Sequence, residues 1–257
     1  MSEIEWWRLK AADINALAAR NAVVIVPIGS VEQHGPHLPT QVDSLLVGEI
    51  ARRAARHAAA TTPIVVTPTV WSGLAEHHMS LGGTLSLDFP TFLALLRCIC
   101  RSLVRQKFRR ILLLNGHGGN IAALTVVVNE LAVELDVPIA ATSYWPLAGE
   151  AFTRILERQK TVRHACEAET SMMLALAPEL VDMSRAGEAV GPTAPEIAEI
   201  VGSEAVHRWR SFKSRTHHGA IGDPRTASAE KGERLLAAAG QAVANVVAND
   251  DFWALPA

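Results

Sequence analysis

Val23-Val24-Ile25-Val26-Pro27-Ile28, followed at once by Gly29-Ser30-Val31-Glu32-Gln33-His34-Gly35-Pro36-His37-Leu38-Pro39, is the stretch on which the fold turns. Six apolar residues without polar alternation read as a strand buried on both faces, the pattern of parallel rather than antiparallel sheets. Further apolar, β-branched runs recur at residues 64–70, 111–114 and 137–144. Helical spacing separates them. Residues 43–59 carry Leu45, Leu46, Ile50 and Ala54 on or near one face, and Asp88 caps a helix that runs to about residue 106 with Pro90 in its first turn. Residues 120–135, 167–177 (stopped by Pro178) and the alanine-rich 227–248 complete the helical set. The alternation predicts an α/β fold whose mostly parallel sheet is covered on both faces. In such sheets ligands bind beyond the carboxyl ends of the strands, so chemistry is expected after Ile28, Val70, Leu114 and Tyr144.

Composition narrows the field. A length of 257 residues suits one α/β domain spanning 1–257, since such folds often run to about 250 residues as a unit. A net charge of −2 argues against a nucleic-acid partner, which would call for a strongly basic face. Three cysteines cannot build a disulfide framework, so a reducing, cytoplasmic setting is expected. The N-terminus lacks a basic region followed by an apolar stretch, and no apolar run approaches the roughly 18 residues of a membrane span. Neither a secretory signal nor a membrane partner is therefore read. Trp6 and Trp7 on an apolar-rich chain suggest a homo-oligomer. Residues 185–226, rich in Gly, Pro and polar side chains, read as a lid or an oligomer contact.

Unusual residues gather where the topology predicts. After the first strand, Glu32 and His34 project to one side of an extended segment, and Asp43 opens the next helix. One imidazole and two carboxylates within twelve residues match what a divalent ion of borderline hardness accepts; an acidic loop with Asp43 as a helix cap is the alternative. After the second strand, His77 and His78 read as pocket wall, because neighbours in an extended chain point opposite ways. After the third strand, Asn115-Gly116-His117-Gly118-Gly119-Asn120 puts a histidine at a glycine-rich turn into a helix, as metal ligand or base. It lacks the third spaced glycine of a dinucleotide fingerprint. After the fourth strand, Trp145 tops the sheet, and His164-Ala165-Cys166-Glu167-Ala168-Glu169 follows. Two acids in a first helical turn suit the helix dipole alone, whereas His164 there does not. Cys166 reads equally as a nucleophile or a small buried residue. No Gly-x-Ser-x-Gly elbow and no His-Glu-x-x-His pair is present.

Residues 29–39 with Asp43, residues 114–120 and residues 164–171, together with Ser143-Tyr144-Trp145 and Gly83-Thr84-Leu85-Ser86, resemble the creatininase (creatinine amidohydrolase) family. The resemblance implies a three-layer α/β/α sandwich, often hexameric, with two divalent metals per subunit, zinc first and manganese or iron as alternatives. Carried over by motif, Glu32 and His117 would bind one ion and His34 the other, with Asp43 bridging. His164 matches the catalytic histidine and Trp145 a tryptophan of the substrate pocket. Creatinine-cleaving members take a further carboxylate two residues after the histidine matched by His117, where this chain has Gly119. Glu167 is read as the substitute, with Glu169 as fallback. Those members also carry a Trp and a Glu where this chain has Lys160 and Arg163, so the aromatic clamp and the acid are missing. Arg163 instead suggests an anionic substrate. The implied reaction is metal-dependent hydrolysis of a non-peptide C–N bond in a small cyclic amide, amidine or formamide. The alternatives are peptide trimming in peptide-derived cofactor biosynthesis and a non-catalytic metal-binding protein.

Overall fold

The computed structural model describes residues 3–192 and 209–254. Four strands, β1 (Val23–Ile28), β2 (Ile64–Val66), β3 (Arg110–Asn115) and β4 (Ile139–Ser143), form a sheet of order β2-β1-β3-β4 among the described residues. Every pairing is parallel: Val23 sits opposite Ile64 and Arg110, and Ile111 opposite Ile139. The apolar run at 64–70 thus ends as a regular strand at Val66, with Val70 returning only as a single bridge to Ile28. Pro68 explains the break, because it has no N–H to give the ladder.

Alternate residues of the central strands enter opposite layers. Val23, Ile25, Leu112 and Leu114 face a core built with α2 (Val42–Ala58), α7 (Glu167–Leu176) and α8 (Ala229–Val247). Val24, Val26, Ile28, Ile111 and Leu113 face α1 (Ala11–Ala19), α3 (Phe89–Arg105) and α4 (Ile121–Leu135). Two short helices, α5 (Tyr144–Leu147) and α6 (Gly149–Ile155), follow β4, and α9 (Asp250–Trp253) follows α8. Helices on both faces of a parallel sheet make the expected three-layer α/β/α sandwich.

Two expectations need correction. Trp6 is half-buried against Phe108, with ring centroids 5.4 Å apart, so only Trp7 is an exposed indole at this end. The segment Gly118–Leu135 is, by length and composition, long and apolar enough to cross a membrane. In the fold it is the turn after β3 and helix α4, which packs Ala123, Leu124, Val127 and Leu131 under the sheet. The proposed lid or oligomer contact at 185–226 is described only in part, since residues 193–208 lie outside the described set.

The strand order positions the site. From β1 the chain crosses to β2 on one side, whereas β3 leads to β4 on the other, so a crevice opens between the carboxyl ends of β1 and β3. Buried Asn120 stitches the loops around it. Its Nδ2 donates to Gly29 O at 3.2 Å and to Asn115 Oδ1 at 3.2 Å, and its Oδ1 accepts from Leu74 N at 2.9 Å. Each buried group left unsatisfied costs about 1–3 kcal/mol. Asn120→Ala should therefore lower the unfolding free energy by at least roughly that amount in urea titrations with an unchanged m-value.

Candidate active site

Five side chains meet above the β1–β3 crevice: Glu32 and His34 from the loop after β1, Asp43 from the first turn of α2, His117 after β3, and Glu169 from the first turn of α7. All five are nearly or fully buried. His34 Nε2 lies 3.2 Å from Asp43 Oδ1 and 4.0 Å from Glu169 Oε2. His117 Nδ1 lies 3.0 Å from Glu32 Oε2 and 2.9 Å from Asp43 Oδ2. Two donor groups follow, Glu32–Asp43–His117 and His34–Asp43–Glu169, which share Asp43; a third, Glu32–His34–His164, overlaps both.

The surroundings fix which nitrogen each histidine presents. His34 Nδ1 is 3.1 Å from the Glu32 carbonyl and His117 Nε2 is 3.2 Å from the Leu74 carbonyl. A carbonyl only accepts, so these nitrogens carry the protons, and His34 Nε2 and His117 Nδ1 turn lone pairs toward the carboxylates. Lone pairs facing carboxylates are mutually unfavourable without a proton or cation between them. In keeping with this, His34 Nε2 and Asp43 Oδ2 are buried without a well-formed hydrogen bond. Nitrogen and carboxylate oxygen at this spacing suit a divalent ion such as zinc or manganese.

Protons take the place of cations in the titration behaviour. Burial opposes charge on His34, but Asp43, Glu169 and Glu32 outweigh it and raise its pKa to about 9. Burial likewise opposes charge on His117, and Glu32 with Asp43 drives it well above the ordinary range. For Glu169, burial and the charges of Asp43 and Glu32 outweigh His34 and the Ala165 N–H, giving about 8.

The two acids of α7 part company. Glu167 is fully buried, but its carboxylate accepts from Lys231 Nζ at 2.7 Å, Arg158 N at 2.8 Å and Glu157 N at 3.1 Å, outside all three donor groups. The structure therefore does not bring Glu167, the first choice from sequence, to the cluster; it brings Glu169, the fallback. Ala165, in the left-handed region at φ 53°, aims its N–H at Glu169 Oε2 at 2.6 Å. A carboxylate at position 119 is excluded by space, because a Cβ there would collide with His117 Nε2 and the Leu74 carbonyl.

His164 approaches the cluster from its open side. Its Nε2 is 2.7 Å from the Gln33 main-chain carbonyl, a closer contact than the 3.1 Å to the Gln33 side-chain nitrogen. The carbonyl therefore accepts the Nε2–H, and Nδ1, 3.5 Å from Glu32 Oε1, is left as the basic nitrogen. Burial first, then the charge of His34, holds its pKa well below the usual range, so the ring is a neutral base. His78 is also buried: Gln33 Nε2 lies 2.8 Å from its Nδ1, while its Nε2 lies 3.2 Å from Glu32 Oε1. The His77–His78 segment is a 3-10 turn (Glu76–Leu81) rather than extended, so both rings face the site, His77 stacking on His117 at 5.6 Å. Gln33, whose side chain lies against both His78 and His164, carries no signal in the sequence, since an amide in a loop is chemically ordinary. His37 lies to one side, bonded to Thr170, and His218 is only partly buried; neither enters a donor group. His57 is exposed, and His207 lies outside the described residues.

A cavity of about 780 Å³ opens over these groups. Trp145 and the exposed Arg163 line it as expected, with Gly118 and Gly119 beside them; Phe212, Arg210 and Arg215 do so unexpectedly. Cys166 is fully buried, and burial together with Glu169 pushes its thiol up to about 12, which removes it as a nucleophile.

Comparison with known proteins agrees with this geometry. The family described as creatininase, creatinine amidohydrolase, matches residues 7–247. A creatinine amidohydrolase of Pseudomonas putida is 30% identical over 264 residues, covering 96% of this chain and 95% of its own length. A mycofactocin precursor peptide peptidase of Mycolicibacterium smegmatis is 33% identical over 227 residues, covering 84% and 80%. A crystal structure of creatinine amidohydrolase overlays with a TM-score of 0.82 at 27% identity, covering 98% of this chain and 99% of the other. Solved creatininases with the same coverage include a manganese form at TM-score 0.82 and a Zn–Zn form at 0.80. The sequence match along nearly the whole chain and the shared sandwich mean that this chain belongs to the creatininase family of amidohydrolases.

Proposed function

We propose that the chain is a dinuclear-metal hydrolase that cleaves a non-peptide C–N bond in a small cyclic amide, amidine or formamide. The observation that carries this reading is the pair of buried donor groups sharing Asp43 at the floor of an open cavity. Glu32, Asp43 and His117 would hold one divalent ion, and His34, Asp43 and Glu169 the other. A pair of ions held there supplies Lewis acidity and lowers the pKa of water from about 15.7 towards roughly 7.

The chain's own groups account for the remaining chemistry. Glu32 is held by Ser30 Oγ at 2.9 Å and His78 at 3.2 Å, so its carboxylate is fixed before substrate arrives. Water oxygen adds to the amide carbon, the C–N bond breaks, and the departing nitrogen needs a proton. His164 Nδ1, neutral and oriented by the Gln33 carbonyl, takes that proton from water and delivers it to nitrogen. The N–H groups of Gly118 and Gly119 are candidates for stabilising the oxyanion. Trp145 supplies an apolar wall. Creatinine itself is disfavoured, because Lys160 and Arg163 replace the aromatic clamp and acid of creatinine-cleaving members. A peptide-trimming reaction is the second reading: a cavity of about 780 Å³ admits a peptide end, and several relatives are mycofactocin precursor peptide peptidases. A small molecule thus remains the first substrate class, and the hexamer of the family the expected assembly.

Elemental analysis should find about two divalent ions per chain. The loaded protein should hydrolyse members of a panel of cyclic amides and formamides, with activity lost in the His34→Ala, His117→Ala double variant. Equal rates for that variant would end the proposal. His164→Gln should retain both ions while kcat falls by about 10²–10⁴. The raised pKa values of His34, His117 and Glu169 mean that the ion-free site holds protons at neutral pH, and ligation requires their release. Metal affinity should therefore rise with pH through 7–9, and calorimetry in buffers of different ionisation enthalpy should detect net proton release. Mass spectrometry of a mycofactocin precursor peptide incubated with the protein tests the second reading.

A further inference from the structure

Two guanidinium groups, those of Arg210 and Arg215, stand in the cavity wall without a carboxylate partner among the described residues. Arg53, Arg97, Arg110 and Arg225 each meet a carboxylate at 2.6–2.7 Å. Arg210 and Arg215 enter no salt bridge among the described residues, and the Nε of each is buried with no hydrogen-bond partner. A buried donor left unpaired is costly, more so when charged. The two are also mutually repulsive: burial first, then the charge of Arg210, lowers the pKa of Arg215.

The place of Arg215 relative to the reacting groups is marked by Phe212. Its ring is 6.0 Å from Arg215 Cζ, stacks on His78 at 4.1 Å and meets His164 edge-on at 4.7 Å. One aromatic ring thus separates the guanidinium from the base. Arg163 lines the same cavity, and its lining carboxylates, Glu32, Asp43 and Glu169, all belong to the donor cluster. A guanidinium fork matches the planar geometry of carboxylate and the oxygens of phosphate alike.

We propose that Arg210 and Arg215 form a subsite for an oxyanion carried by the substrate, so that the hydrolysed compound is an amide or formamide bearing a carboxylate or phosphate group one aromatic ring away from the C–N bond. The proposal rests on the hydrolase reading of the site, and its test separates the two. N-formylglycine, N-formylglycinamide and formamidomethylphosphonate differ only in the terminal group. Calorimetric titration of each into chelator-treated protein reads binding without the metals, and kcat/KM on the loaded protein reads turnover.

One anionic compound should bind at least about tenfold more tightly than the neutral amide, the worth of a charge-assisted pair, and which of the two does so identifies carboxylate or phosphate. The Arg210→Gln, Arg215→Gln double variant, checked for folding by circular dichroism, should reduce that preference to within about twofold. Arg105→Ala, an exposed change at the end of α3, should keep it. Should the double variant fail to fold, the single Arg215→Gln variant must still lose part of the preference. Equal binding of all three compounds by the unaltered protein, or a preference that survives the substitutions, overturns the subsite. An anion preference without any turnover removes the reaction and leaves the subsite standing. Turnover without an anion preference does the reverse.

Discussion

Glu32, Asp43 and Glu169 are buried within reach of one another, and three carboxylates so placed repel strongly where little water screens them. The rest of the site is arranged around that repulsion. Without cations, protons on His34, His117 and Glu169 relieve it, which is why their pKa values all rise. In the proposed metal-loaded site the same atoms would serve as ligands, and the energetic liability would become affinity. Nothing in the core requires these charges; a purely structural crevice would have been filled with apolar side chains.

Holding such groups demands a rigid frame, and the parallel sheet supplies it. The crevice lies where the strand order reverses, between β1 and β3, and their loops bring Glu32, His34 and His117 from stretches 80 or more residues apart. Carbonyls of Glu32, Leu74 and Gln33 set the proton on each histidine, while Asn120 ties three loops together. The activity assigned by family membership thus has a physical basis in backbone oxygens that no motif describes.

Much of this was legible in the sequence, for identifiable reasons. β1 begins and ends as its apolar run does, and α2, α3, α4 and α7 start within a residue or two of their expected positions, because caps and periodicity are local signals. Helix α1 was not anticipated: Ala11–Ala19 has a weak apolar face and buries only Ile14 and Ala18. Choosing between Glu167 and Glu169 was beyond local reading. Two residues apart on a helix, they point about 200° from each other, so only one can face the crevice. The docking of α7 on α8, which sets Glu167 against Lys231, decides it. Arg210, Phe212 and Arg215 were hidden for a similar reason, being far along the chain in a segment without periodic pattern.

By itself, then, the sequence determined the parallel α/β class, the strand ends at which chemistry collects, and the five residues Glu32, His34, Asp43, His117 and His164 that gather there. These follow from short-range patterns: runs, spacings, caps and turns. The tertiary structure alone decided that Glu169 completes the cluster, that Gly119 has no room for a side chain, that each histidine presents one particular nitrogen, and that two arginines without a carboxylate partner among the described residues face the same cavity. Those outcomes depend on which surfaces pack together, and packing is a property of elements distant in sequence.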